Sequence, residues 1–159
     1  MLEQHYLLYL SIGSNLGNRE ENIDLAIEKI EMQIGEVVSR SAFYYSEAQG
    51  FESDNDFVNI ACEVSTSLDI YEAFAETQSI EKGMGRTNKS KNGVHEDRII
   101  DIDIVLAGSC VIDTDYLTIP HPRMAERDFV LVPLSEIAPD VVHPIFNKTI
   151  LELRNTLKK

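Results

Sequence analysis

The sequence has no tryptophan, only two cysteines, and only five prolines and eight glycines among 159 residues. Two cysteines cannot build a disulfide framework. Cys62 and Cys110 lie in apolar contexts and are expected to be buried free thiols of a cytosolic protein. Proline and glycine form no cluster that would mark a linker, and repeats and low-complexity tracts are absent. One domain over residues 1–159 is therefore expected, large enough to bury a core without metal or disulfide support. No apolar run approaches the roughly 18 residues that span a bilayer. The opening MLEQHYLLYLSIG lacks a basic segment, so neither a secretory signal nor a membrane partner is expected, and the location read from this is cytoplasmic.

Positive charge is also scarce. Fourteen Lys and Arg face 27 Asp and Glu, a net charge of −13, which argues against a nucleic-acid partner because phosphate affinity needs a basic surface. Yet seven of the cations, Lys82, Arg86, Lys89, Lys91, Arg98, Arg123 and Arg127, fall between positions 82 and 127. A local basic patch on an acidic chain suits a small anionic ligand.

Hydrophobic periodicity supplies the elements. His5–Gly13 reads as a strand ending in the turn SNLGN, after which Asn18 can cap a helix over Arg19–Ile34. Glu36–Ala48 is β-rich. Phe57–Thr66 alternates, with Val58, Ile60, Cys62 and Val64 on one face and Phe57, Asn59, Ala61 and Glu63 on the other. Helical spacing returns over Leu68–Glu81. The polar stretch RTNKSKNGVHED leads into the strand DRIIDIDIVLAG. A short apolar piece at Cys110–Ile112, the turn TIPHPR, a helix over Met124–Ile137 and a helical Thr149–Leu157 complete the chain. The order β-α-β-β-α-β predicts an α/β (α+β) fold, a ferredoxin-like sandwich with additional C-terminal elements.

The chemistry centres on DRIIDIDIVLAG. Asp101 and Asp103 interrupt an apolar strand and point to the same face, about 7 Å apart along it. Solvated residues on an antiparallel sheet explain them as well as a metal half-site does. Hard cations such as Mg²⁺ take one or two carboxylates and complete their shell with phosphates and water. Arg86 and Arg98 flank the polar loop, and guanidinium forks match phosphate oxygens. His121 sits between two prolines, in a structural or a catalytic role. Phe57 and Asn59 share a strand face on which a planar heterocycle could stack and hydrogen-bond, with Phe129 beyond the IPHP turn as a second wall.

Taken together, YLSIGSNLGN, DFVNIA, TQSIEKGMGR, DRIIDIDIVLAG and LTIPHPRMAERDFVLVPLSEIAPD resemble the 6-hydroxymethyl-7,8-dihydropterin pyrophosphokinases of folate synthesis over nearly the whole chain. The resemblance implies a ferredoxin-like enzyme that moves pyrophosphate from ATP to the pterin's hydroxymethyl oxygen and releases AMP. It implies two Mg²⁺ ions on Asp101 and Asp103, and transition-state and phosphate contacts from Arg86 and Arg98. ATP contacts from Gln78, Glu81, Thr118 and His121 are also implied. For the pterin it implies stacking between Phe57 and Phe129, hydrogen bonds from Asn59, and contacts from the Ser46–Gly50 loop, Gln49 included. A monomer is expected. The chain departs from common family patterns at His95, Glu96 and Asp97 in the long 87–97 loop, at Phe57 where tyrosine is common, and in SEAQG. The rival readings are a ferredoxin-like module that binds a metabolite, and another two-metal phosphoryl enzyme.

Overall fold

In the computed structural model, which describes residues 4–46, 56–85 and 99–157, strand β1 (Tyr6–Ser14) lies at the centre of the main sheet. Its turn reverses at Gly17, whose φ of +68° falls in the left-handed region that glycine enters without a Cβ penalty. Helix α1 (Arg19–Gln33) starts where the Asn18 side chain accepts the Glu21 N–H, satisfying a helix-end donor. Strands β2 (Glu36–Arg40) and β3 (Tyr44–Ser46) both pair with β4 (Phe57–Thr66). Helix α2 (Ile70–Gly83) opens on a capping box between Asp69 and Glu72. Strand β5 (Asp101–Ala107) then joins the free side of β1.

The order β2-β4-β1-β5, with every pairing antiparallel, is that of a ferredoxin-like sheet, as the element order predicts. Beyond it lie a small hairpin of β6 (Ile112–Asp113) and β7 (Thr118–Ile119), a 3₁₀ turn (Met124–Glu126), α3 (Asp128–Ile137) and α4 (Ile150–Thr156).

Alternation on the strands divides the interior in two. Leu8, Leu10, Ile12, Val58, Ile60 and Val64 face α1 and α2, where Ile23, Ile30 and Ile80 close the larger core. Each fully buried Leu or Ile there contributes about 1.5–3 kcal/mol. Tyr9, Ala61 and Val105 face α3 and α4 and pack on Leu131, Leu134 and Ile150. This second cover reaches only part of its face, and the remainder carries the aspartates.

Three sequence expectations need correction. Cys62 is buried but Cys110 is exposed: it follows β5 in a surface turn, where its N–H donates to Ala107 O at 2.9 Å. The β-rich run Glu36–Ala48 is broken at Ser41, whose hydroxyl takes the Ala61 N–H at 2.9 Å in place of a backbone carbonyl. The helix expected over Met124–Ile137 is a 3₁₀ turn followed by α3, with Arg127 in extended conformation between them.

Candidate active site

Antiparallel register decides which side chains meet. Gly13 lies opposite Asn59 on one side and Asp101 on the other, while Ser11 lies opposite Ala61 and Asp103. Opposed residues share a face. Asn59, Gly13 and Asp101 therefore form one row across the sheet, and Ala61, Ser11 and Asp103 the next. The α3–α4 cover ends near Ala61, which is buried, and both aspartates are half-exposed.

Strand β5 is held from its outer edge. Glu81, buried on α2, accepts the Ile102 N–H through Oε2 at 2.7 Å, midway between the two aspartates. Gln78 stands one turn earlier on the same helix face, exposed. Farther along β5, the His121 N–H donates to Val105 O at 2.9 Å. This bond folds the IPHP segment back onto the strand. The ring's Nδ1 accepts the Arg123 N–H at 3.1 Å, so the neutral imidazole carries its proton on Nε2. Asp103, Thr118 and His121 then line one cavity of about 260 Å³ with Phe74, Ile104 and Tyr116.

The extended residue between the 3₁₀ turn and α3 adds a group that the sequence did not single out. Burial pushes the Arg127 guanidinium below the usual arginine value, while Asp103 and Asp101 draw it back up. It remains a cation, half-buried and within electrostatic reach of both aspartates. It also lies 5.5 Å from the centre of the Phe129 ring. Its only sequence signal was membership of the cation cluster, because the relation to the aspartates depends on the fold-back at Val105.

On the other side of Gly13, Tyr44 and Ser46 on β3 pair with Asn59 and Phe57. Tyr44 OH donates to Asp128 Oδ2 at 2.9 Å, which fastens β3 to the start of α3 and brings the turn bearing Phe129 toward this strand. Asn59 is only 6% exposed, and its Oδ1 has no hydrogen-bond partner among the described residues. A buried acceptor left open costs about 1–3 kcal/mol. Such an atom on the sheet face that bears the aspartates fits a ligand that donates a hydrogen bond. Arg86, Arg98, Gln49 and the 87–97 loop lie outside the described residues.

The same geometry bears on the metal. Among the described residues no group of three or more His, Cys, Asp or Glu could hold an ion. Asp101 and Asp103 supply hard oxygen donors on one face and leave the rest of a shell to a ligand. That donor set fits Mg²⁺ bound with a polyphosphate.

Residues 9–139 match the family of 7,8-dihydro-6-hydroxymethylpterin-pyrophosphokinases. The chain belongs to this family. It is an enzyme, a pyrophosphokinase, and the family match runs from β1 through α3. A Porphyromonas gingivalis 2-amino-4-hydroxy-6-hydroxymethyldihydropteridine pyrophosphokinase is 42% identical over 139 residues, 87% of this chain and 94% of the relative. The folic acid synthesis protein FOL1 of Dictyostelium discoideum is 43% identical over 90% of this chain, which spans 21% of that longer protein. In structure, the chain is similar to a Plasmodium falciparum HPPK-DHPS protein crystallised with pterin and p-hydroxybenzoate. The TM-score is 0.76 at 16% identity, over 96% of this chain and 43% of the other. At that identity the likeness concerns the fold, and it agrees with the ferredoxin-like sheet of this pyrophosphokinase. Among the described residues no helix is long and apolar enough to cross a membrane.

Proposed function

We propose that this pyrophosphokinase works on the sheet face between Asn59 and Asp103. There it transfers pyrophosphate from ATP to 6-hydroxymethyl-7,8-dihydropterin and releases AMP, a step of folate synthesis. The pterin's hydroxymethyl oxygen attacks the β-phosphorus of ATP, the bond from that phosphorus to the α–β bridging oxygen breaks, and the hydroxyl proton passes to solvent. Two Mg²⁺ ions, held by Asp101 and Asp103, would neutralise triphosphate charge and align the displacement.

The chain's own groups do the rest. Arg127 places a cation beside the aspartates, where charge gathers on the transferring group. Thr118 and His121 line the cavity that continues from Asp103 and bind the nucleotide, with Gln78 and Glu81 on the neighbouring α2. Arg86 and Arg98 complete the phosphate contacts. Phe57 and Phe129 flank the pterin, Asn59 reads its edge, and Ser46 and Gln49 belong to the loop that borders it. The protein acts as a cytoplasmic monomer on ATP and a neutral pterin, and its net charge of −13 argues against a nucleic-acid partner.

The observation that carries this reading is the row Asn59–Gly13–Asp101, in which an open buried acceptor and a carboxylate are separated by one strand. Two strand spacings set their backbones roughly 10 Å apart, about the span of a pterin ring with its hydroxymethyl arm. Purified protein with ATP, Mg²⁺ and the reduced pterin should form AMP in proportion to pterin consumed. Asp101→Asn and Asp103→Asn should each abolish turnover while leaving the melting temperature near that of the wild type. Near-normal turnover in both variants would contradict the metal assignment, and formation of ADP would contradict the reaction.

A further inference from the structure

We infer that Gly13 is a positioning residue for pterin recognition: the space left by its missing side chain is where the Asn59 carboxamide lies. The inference rests on the reading of Asn59 given above. A Cβ at position 13 would fall well inside van der Waals contact of Asn59 Nδ2 and 3.3 Å from Asn59 Cγ, whereas the nearest main-chain atom, Val58 O, would be 3.6 Å away. The conflict is with a side chain alone. The contrast with Gly35 is informative, because there a Cβ would drive into the Ser65 carbonyl of the neighbouring strand.

Backbone conformation does not ask for glycine at position 13. Its φ lies outside the left-handed region that Gly17 occupies, and glycine inside a strand forgoes packing and adds chain entropy to be lost on folding. Both residues opposite it, Asn59 and Asp101, carry side chains, and the glycine is explained by the room it leaves. That room is taken by a carboxamide that is 6% exposed and whose Oδ1 has no partner among the described residues. A methyl group at position 13 would be accommodated by rotating the carboxamide, which preserves the fold and turns the ligand-reading atoms away. Gly13 thus acts on the pterin through Asn59.

The test is a steady-state comparison of wild type, Gly13→Ala, Asn59→Ala and the double variant, with KM measured separately for hydroxymethyldihydropterin and ATP. Gly13→Ala should raise the pterin KM by about 10-fold, the loss expected for one hydrogen bond to a buried group, with the ATP KM and kcat within about 2-fold. The double variant should show the same pterin KM as Asn59→Ala, because truncating Asn59 removes both atoms that the new methyl group meets. An unchanged pterin KM in Gly13→Ala would overturn the inference, as would equal rises in both KM values or multiplying effects in the double variant. If Gly13→Ala does not fold, Asn59→Ala and the double variant decide: equal pterin KM values support the inference and a further rise overturns it. Wild-type protein that releases no AMP in a pterin-dependent manner would overturn the underlying reading, which distinguishes that failure from a neutral Gly13→Ala in an active enzyme.

Discussion

Glu81 is 3% exposed and accepts the Ile102 N–H at 2.7 Å, between the two aspartates. Replacing it by alanine leaves that strand N–H buried beside α2 with no acceptor, a cost of about 1–3 kcal/mol. Loss of the one buried side-chain methylene adds about 0.8 kcal/mol. A total of about 3 kcal/mol in a chain of this size lowers the melting temperature by roughly 6–12 °C. Glu81→Gln keeps an oxygen within reach of Ile102 and should lose less than about 1.5 kcal/mol, or under roughly 6 °C. Thermal denaturation of wild type and both variants gives these shifts, and hydrogen exchange at the Ile102 amide locates the change. In the alanine variant that amide should exchange faster, and kcat should fall because β5 no longer holds the carboxylates in place. A melting temperature for Glu81→Ala within about 2 °C of wild type, with Ile102 still protected, would refute the anchoring role.

Other expectations follow from the same contacts. Arg127→Met keeps the apolar stem against Phe129 but removes the cation beside the aspartates, so kcat should fall by about 100-fold or more with little loss of stability; an unchanged kcat would exclude the charge from the reaction. His143 is buried, stacks on Phe146 at 4.2 Å, and accepts the Ile145 and Phe146 N–H groups through Nδ1. Burial pushes its imidazole below the ordinary histidine value. The unfolded chain therefore binds a proton that the fold resists: the contribution is whole above about pH 6.5 and is lost progressively as pH falls below it, toward the folded value. Melting temperatures at pH 7.5 and pH 5.5 (assay conditions of roughly those values) should differ more for wild type than for His143→Asn; equal differences would remove His143 from the acid sensitivity.

Much of the sheet was legible because strand alternation is a local property. The pattern Val58, Ile60, Cys62, Val64 against Phe57, Asn59, Ala61, Glu63 sorted one strand into its two faces, and the D-x-D spacing put Asp101 and Asp103 on one side. The Asn18 cap was also within reach of short-range reasoning. Features made by distant partners were not. The division of β2 from β3 depends on Ser41 reaching Ala61 and on Glu136, far along the chain, accepting the Ala42 N–H at 2.6 Å. The interruption at Arg127 falls within MAERDFVLV, Met124–Val132, a stretch without proline or glycine, so the local sequence gives no breaker there. Cys110 was misplaced because an apolar neighbourhood in sequence is not a buried one in space. Likewise, the open Oδ1 of Asn59 became evident only from the three-dimensional surroundings.

The central claim is that the aspartate-bearing face moves two phosphates together to the pterin. Phosphorus NMR of a reaction containing the protein, ATP, Mg²⁺ and 6-hydroxymethyl-7,8-dihydropterin tests it most directly. AMP and a pterin pyrophosphate ester should rise in equal amounts, with neither formed when Mg²⁺ or the pterin is withheld. Formation of ADP with a pterin monophosphate, or release of inorganic phosphate without pterin, would contradict it.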